Sequence, residues 1–318
     1  MNLGIKFLTN SVYFTLIFFF GVLLAYYFYS REGMNVKLIY HPLQNTKGMI
    51  QFYNFDDSDD ARANLPNILN VAAPLSQTNF DATLFSNNSV DTMIVPNAKI
   101  GNACLKLDMT QKQFVKLPQF IIPQKPDVQI SANRGMTFAL FFNILDVYSQ
   151  GIMTLFDYSN DKYRICAYYN TSTKCLECIS SFGNLTQTLK STTIQPSQWY
   201  HFAWTLSPDN IDPKKDGQSI LYLDFIKNTE FAYTNQKGFV YPASEFLNNG
   251  TPVTLTNNAI GKCTKPIVND VTYSVDASYF NGYIDNYIVY NSAYTSSNIA
   301  TLSNLYSSNS SSYTVNTA

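Results

Sequence analysis

Side chains able to carry out acid–base, nucleophilic or metal chemistry are scarce in this chain. His41 and His201 are the only histidines, so histidine catalysis has little to draw on. Five cysteines occur, Cys104, Cys166, Cys175, Cys178 and Cys263. Cys175-x-x-Cys178 has the spacing of a metal or redox motif, but there is no second such pair and no βαβ pattern around it. Strand-like runs at Tyr163–Tyr169 and Cys175–Ser181 flank a turn near Ser172. That arrangement sets Cys166 across from Cys178 and predicts one disulfide between them in an oxidising compartment. Nothing in the sequence supports a Cys175–His201 dyad. Oxygen ligands gather in two turns, Asp56, Asp57, Asp59 and Asp60 in one and Asp157, Asn160 and Asp161 in the other. Both are candidate Ca²⁺-type sites, both depart from EF-hand spacing, and a solvated acidic loop is the plainer reading of each. Glu177, Glu230 and Glu245 stand alone. The G-x-S-x-G, H-E-x-x-H, G-x-x-x-x-G-K-[ST] and G-x-G-x-x-G motifs are absent, which removes the common hydrolase, zincin and nucleotide-binding readings.

The elements that must position these residues read as strands. From Met49 onward, short runs rich in aromatic and branched residues, such as Thr137–Ile144, Ile152–Phe156, Trp199–Leu206 and Ser219–Asp224, are separated by Gly, Pro, Asn, Asp or Ser. Many short strands without long helical periods predict an all-β sandwich or barrel. One helix is predicted, Ser296–Leu305, with Ile299, Leu302 and Leu305 on one face behind a Thr/Ser cap. Residues 56–102 and 233–255 are rich in polar turn residues and read as long loops, candidates for contact surfaces.

Hydrophobic residues make up 46% of the chain and charged residues 14%, with 23 Tyr and 23 Phe, a composition that favours a large aromatic core. The net charge is −1 and no long basic run occurs, which excludes the electrostatic footprint of a nucleic-acid binder. Residues 7–30 carry no charge, carry Tyr26, Tyr27 and Tyr29 near their end, and are bracketed by Lys6 and Arg31. Roughly 20 apolar residues in a helix span the ~30 Å hydrocarbon layer, so this stretch predicts a retained single-pass membrane anchor. The sequence thus divides into an anchor at 1–31, a juxtamembrane linker at 32–48, a β-sandwich at 49–306 and a Ser-rich tail at 307–318. The membrane, through residues 7–30, is an expected partner.

The order of the strand segments resembles the laminin-G-like branch of the concanavalin A-like lectin/glucanase superfamily. Tyr279-Phe280-Asn281-Gly282-Tyr283-Ile284-Asp285-Asn286-Tyr287-Ile288-Val289-Tyr290 is similar to its F-x-G-x-I-D strand, followed by a small helix. Gln198–Trp204 resembles its W-x-H-v-a segment, Gln218–Asp224 the strand after it, Gly101–Leu107 its G-x-a-l-x-f strand, and Phe52–Asp57 its opening strand. The resemblance implies a two-sheet antiparallel jelly-roll sandwich in which Gly282 permits a close approach and Asp285 bonds nearby backbone. It also implies that Trp199 and Trp204 fill core and that His201 is structural. Glucanases of this superfamily place two glutamates around an aspartate on one strand, and this chain has no E-x-D, so no hydrolase is expected. Ca²⁺ on the rim is a possibility the family brings.

Two functions of different class follow. In the favoured one the chain is a non-enzymatic structural protein contacting neighbours in an assembly, similar in context to minor capsid components of large membrane-containing DNA viruses, between inner membrane and capsid. The alternative is a cell-surface lectin-like module binding glycan or protein.

Overall fold

The computed structural model describes residues 49–56, 67–68, 72, 81–122, 135–145, 151–182, 185–207, 218–232, 253–268 and 272–309. Two eight-stranded sheets, antiparallel throughout, account for most of them. The first runs β15 (Ile226–Ala232), β14 (Gln218–Leu223), β13 (Trp199–Ser207), β8 (Met136–Ile144), β20 (Gly282–Tyr290), β5 (Cys104–Leu107) and β4 (Ile94–Val95), with β1 (Met49–Tyr53) also pairing with β20. The second runs β12 (Leu185–Thr193), β11 (Cys175–Phe182), β10 (Tyr163–Asn170), β9 (Ile152–Ser159), β17 (Asn257–Ile260), β6 (Phe114–Lys116), β3 (Ala82–Phe85) and β2 (Asn67–Ile68). Two small ribbons pair β7 (Phe120–Ile121) with β16 (Thr254–Leu255), and β18 (Ile267–Val268) with β19 (Thr272–Tyr273). This is the all-β sandwich expected from the sequence.

The inner faces meet in one large apolar cluster. Phe138, Leu140, Phe142, Trp204, Leu221 and Ile284 come from the first sheet, and Phe156, Tyr158, Ile165, Tyr169 and Cys178 from the second. Phe138 stacks on Phe156 across the gap with centroids 4.9 Å apart. Several polar atoms inside this layer are partnered. Trp204 Nε1 donates to Ser219 Oγ (2.8 Å), Tyr287 Oη donates to Tyr158 Oη (3.0 Å), and Tyr158 Oη donates to Gln51 Oε1 (2.5 Å).

Both outer faces are covered as well. On the first sheet a helix, α1 (Ser296–Asn309), lays Ile299, Leu302 and Tyr306 over Phe52, Ala139, Phe141, Ala203, Tyr222 and Ile288. Its start is capped reciprocally: Asn298 N donates to Thr295 Oγ1, and Thr295 N donates to Asn298 Oδ1. The helix was expected over Ser296–Leu305 and runs one turn further. On the second sheet, Cys263 and Ile267 from the segment after β17 pack onto Ile152, Cys166, Tyr168 and Ile179. At one side of the sandwich the two end strands are tied together, because Thr192 N of β12 donates to Asn228 Oδ1 of β15 and Asn228 Nδ2 donates to Thr192 Oγ1.

The single-pass membrane localisation is corrected here: among the described residues no helix is long and apolar enough to cross a membrane. The expected anchor at 7–30 and the linker at 32–48 lie outside the described residues, as does the tail from 310 onward.

Because Tyr158 Oη both accepts from Tyr287 and donates to Gln51, Tyr158→Phe strands both groups in a dry layer. The expected loss is about 2 kcal/mol of unfolding free energy, read by urea denaturation, with an unchanged m-value showing that the fold is kept.

Candidate functional site

Asp56 and Asp157, one from each acidic turn, are tied to neighbouring segments. Asp56 follows Phe55, which holds a left-handed φ of 59°, and its Oδ1 accepts from Asn102 N (2.6 Å) and Ala103 N (3.2 Å). Gly101 sits so close that a Cβ there would lie 1.9 Å from the Asp56 carboxylate, so this glycine is needed for the two segments to meet. Asp57, Asp59 and Asp60 lie outside the described residues. Asp157, on the outer face of β9, is fully buried and grips Arg164 of β10, with Arg164 Nε donating to Oδ1 (3.1 Å) and Nη2 to Oδ2 (2.7 Å). Thr264 N and Oγ1 also donate to Asp157 Oδ2 (2.7 and 2.8 Å), and Arg164 reaches on to the carbonyls of Lys265 and Pro266. Asp161 is exposed and faces Lys265 at 3.6 Å. Of the two carboxylates expected to offer calcium ligands here, Asp157 is paired with a guanidinium and Asp161 projects into solvent beside Lys265.

The expected Cys166–Cys178 disulfide is corrected too. Cys166 pairs with Ile179 and Cys178 with Ala167, a one-residue offset that puts the two sulfurs on opposite faces of the sheet. All five cysteines are free thiols. Cys175 and Cys178, three apart on one strand, likewise face opposite ways and cannot share a metal. Cys175 lies on the second sheet and His201 on the first, so they form no dyad. The two glutamates among the described residues also lie on different sheets: Glu177 accepts from Tyr168 Oη (2.6 Å) and Asn170 Nδ2 (3.1 Å), and Glu230 pairs with Lys227. Glu245 is outside the described residues.

Two cross-strand rows on the outer face of the first sheet remain. In one, His201, Phe141 and Asp285 are direct neighbours on β13, β8 and β20. Asp285 accepts from Lys99 N (2.9 Å) and Ile100 N (2.8 Å), the backbone contact implied by the family resemblance. Burial raises its carboxyl well above the ordinary range despite those bonds, and nearby Asp56 adds to the rise. His201 is buried with both ring nitrogens unpartnered, and burial lowers its pKa to about 3. Phe225 stacks on it at 3.8 Å, held in place by a two-residue β14–β15 turn in which Asp224 and Phe225 both take positive φ (49° and 66°). Asp224 Oδ1 fixes that turn by accepting from His201 N (2.8 Å). His201 thus packs as a buried ring against Phe141 and Phe225, and burial disfavours its charged form.

One step along the strands the second row reads Trp199, Asn143, Tyr283 and Lys106. Here the cover stops. Trp199 and Tyr283 are partly exposed, and their rings approach to 6.1 Å above Asn143, whose Oδ1 has no hydrogen-bond partner. Gly282 lets β20 close on β8 beside them, since a Cβ there would lie 2.1 Å from the Asn143 carbonyl. Trp199 was expected in the core with Trp204, but five residues apart on a strand is an odd spacing, and only Trp204 points inward. Asn143, Tyr283 and Lys106 had no motif to single them out. Of the loops expected to bind, 56–102 is described at 56, 67–68, 72 and 81–102, where it carries the short strands β2, β3 and β4, and 233–255 is described only at 253–255.

No protein-family model matches the chain. No curated protein matches it either. Among solved structures it is similar to domain 4 of AbnA, a GH43 extracellular arabinanase from Geobacillus stearothermophilus, in complex with arabinotriose (17% identity, 80% of this chain and 97% of that one, TM-score 0.48). It is similar to Trypanosoma rangeli sialidase (14% identity, 83% and 33%, TM-score 0.45) and to the receptor-binding domain of botulinum neurotoxin D (11% identity, 81% and 53%, TM-score 0.47). The chain therefore spans a third of the sialidase and about half of the toxin chain. None of these likenesses reaches a TM-score of 0.5, and no activity is carried over from them. Neither they nor the fold support the viral assembly role.

Two outcomes follow from these sites. Asp157→Ala leaves the Arg164 guanidinium buried without its carboxylate and should cost about 3–5 kcal/mol in denaturant unfolding. His201, neutral in the fold and protonated in the unfolded chain below about pH 6.5, contributes stability that is full above that value and lost as pH falls toward 3. Between pH 7 and 5 the chain should lose about 2 kcal/mol more than His201→Leu does over the same interval, measured as the difference in pH slopes.

Proposed function

We propose that this chain is a non-catalytic glycan-recognition module that binds sugar rings on the Trp199–Asn143–Tyr283–Lys106 row. The observation that carries the reading is the partly exposed Trp199–Tyr283 pair roofing an amide with an unpartnered oxygen. The faces of a pyranose or furanose ring present C–H groups that lie favourably against aromatic rings, while its hydroxyls need directed polar partners. Trp199 and Tyr283 supply the first, each with a polar edge that stays wet. Asn143 Oδ1 accepts from a hydroxyl directed between the rings, and the Lys106 ammonium donates to an oxygen beside them.

The platform is preformed, since all four residues stand on paired strands rather than loops, so little ordering cost falls on binding. Among the described residues the nearby carboxyls are Asp285 and Asp56, and each accepts from backbone N–H groups. Asp285, the nearest acid along β20, is spent on backbone N–H groups of Lys99 and Ile100. Recognition without turnover is what this row is equipped to do.

The test is a glycan array probed with the full chain, followed by titration calorimetry on the best ligand. Trp199→Ala and Tyr283→Ala should each weaken binding at least tenfold, about 1.4 kcal/mol, with Lys106→Ala weaker in effect. Ile226→Ser, at an exposed turn on the same sheet, should change nothing. Unaltered affinity in Trp199→Ala, or no glycan bound by the parent chain, would sink the proposal.

A further inference from the structure

We propose that Cys166 and Cys263 are a disulfide-forming pair that staples the segment after β17 to the outer face of the second sheet. Cys166 stands on β10 directly opposite Asp157 of β9, and Cys263 comes down onto that spot from the covering segment. The two sulfurs and a carboxylate oxygen of Asp157 lie within 4.8 Å of one another. Side-chain rotation with a small backbone adjustment closes that gap to the ~2.05 Å of an S–S bond. Cys263 is held to the place from two further sides: its N–H donates to Ser278 Oγ (2.9 Å), and its sulfur lies 3.0 Å from Thr154 Oγ1.

The surroundings favour thiolate chemistry. Arg164, paired with Asp157, places a guanidinium among the sulfurs. Burial raises the Cys166 thiol well above its ordinary value. At Cys263 burial acts the same way, but hydrogen bonds from Cys166 and Thr154 and the Arg164 charge outweigh it, so its pKa is lowered. Either sulfur can attack first; the sequence that begins at Cys263 runs through one mixed disulfide. In it the Cys263 thiolate displaces one glutathione thiolate from glutathione disulfide. The Cys166 thiol then loses its proton and displaces the second glutathione. Two protein thiols and one glutathione disulfide become one protein disulfide and two glutathiones. Both cysteines are buried, so the exchange takes place as the covering segment docks during folding.

A metal ion is the competing occupant of the same three groups. Both Asp157 oxygens are already taken by Arg164 and Thr264, and a guanidinium 2.7 Å from the carboxylate opposes a second cation. Two sulfurs without a free carboxylate form a redox pair more readily than a metal cage.

The experiment refolds the full chain in a glutathione redox buffer, traps free thiols with N-ethylmaleimide in denaturant, and maps proteolytic peptides by mass spectrometry. The expected result is one crosslinked peptide pair joining Cys166 to Cys263, with Cys104, Cys175 and Cys178 alkylated. Closing a loop of nearly a hundred residues should raise the melting temperature by roughly 10 °C over the dithiothreitol-treated chain. Cys263→Ala should remove that sensitivity to reductant. Alkylation of both Cys166 and Cys263, a crosslink to any other cysteine, or stoichiometric zinc that is lost in Cys263→Ala would each overturn the proposal.

Discussion

The central strands of this protein are buried on both faces, and the rest of the structure answers to that constraint. β8 and β9 are covered at every position, and β20 at all but one. An antiparallel sheet ordinarily keeps one face wet and alternates polar with apolar residues accordingly. Here α1 dries the outer face of the first sheet and the segment after β17 dries that of the second. Every polar group on those faces must then be satisfied internally or stay neutral. Asp157 is matched by Arg164 and Thr264, Asp285 by two backbone N–H groups, and Glu177 by Tyr168 and Asn170, while His201 remains uncharged.

The same constraint locates the surface proposed for recognition. Residues that alternate along β13, β8 and β20 pass from beneath Phe225 and Tyr306, at His201, Phe141 and Asp285, to a row where Trp199 and Tyr283 are partly exposed over a buried Asn143. Nothing in the local strand geometry changes between the two rows. What changes is that the covering layer ends, leaving residues suited to a dry interface at the edge of solvent. A binding platform at the margin of a buried layer inherits the rigidity of that layer, since the partners of its strands are fixed on both sides.

Much of the fold was legible because local signals agreed. The β10–β11 hairpin, the capped helix and the family-like glycine positions all carry local chemistry that acts where it is written. Gly101 and Asp56 are 45 residues apart in sequence yet form one contact, and each was marked by its own motif. What escaped was parity. The four-residue connection between β10 and β11 makes Cys166 pair with Ile179, and a single-residue difference in loop length moves a cysteine from one face to the other. Trp199 was misplaced for the same reason. The surroundings of Asp157 and Cys263 depend on contacts about a hundred residues distant, which no local pattern announces.

The paired hydrogen bonds between Asn228 and Thr192 bear on how this protein behaves at high concentration. An end strand exposes main-chain donors and acceptors that can recruit a strand from another molecule, the first step toward domain swapping or fibril growth. On β12 one such donor, Thr192 N, is already occupied by a side-chain amide from the opposite sheet. The two end strands therefore shield each other, and this flank of the sandwich presents a closed seam where an open sheet would offer a template for aggregation.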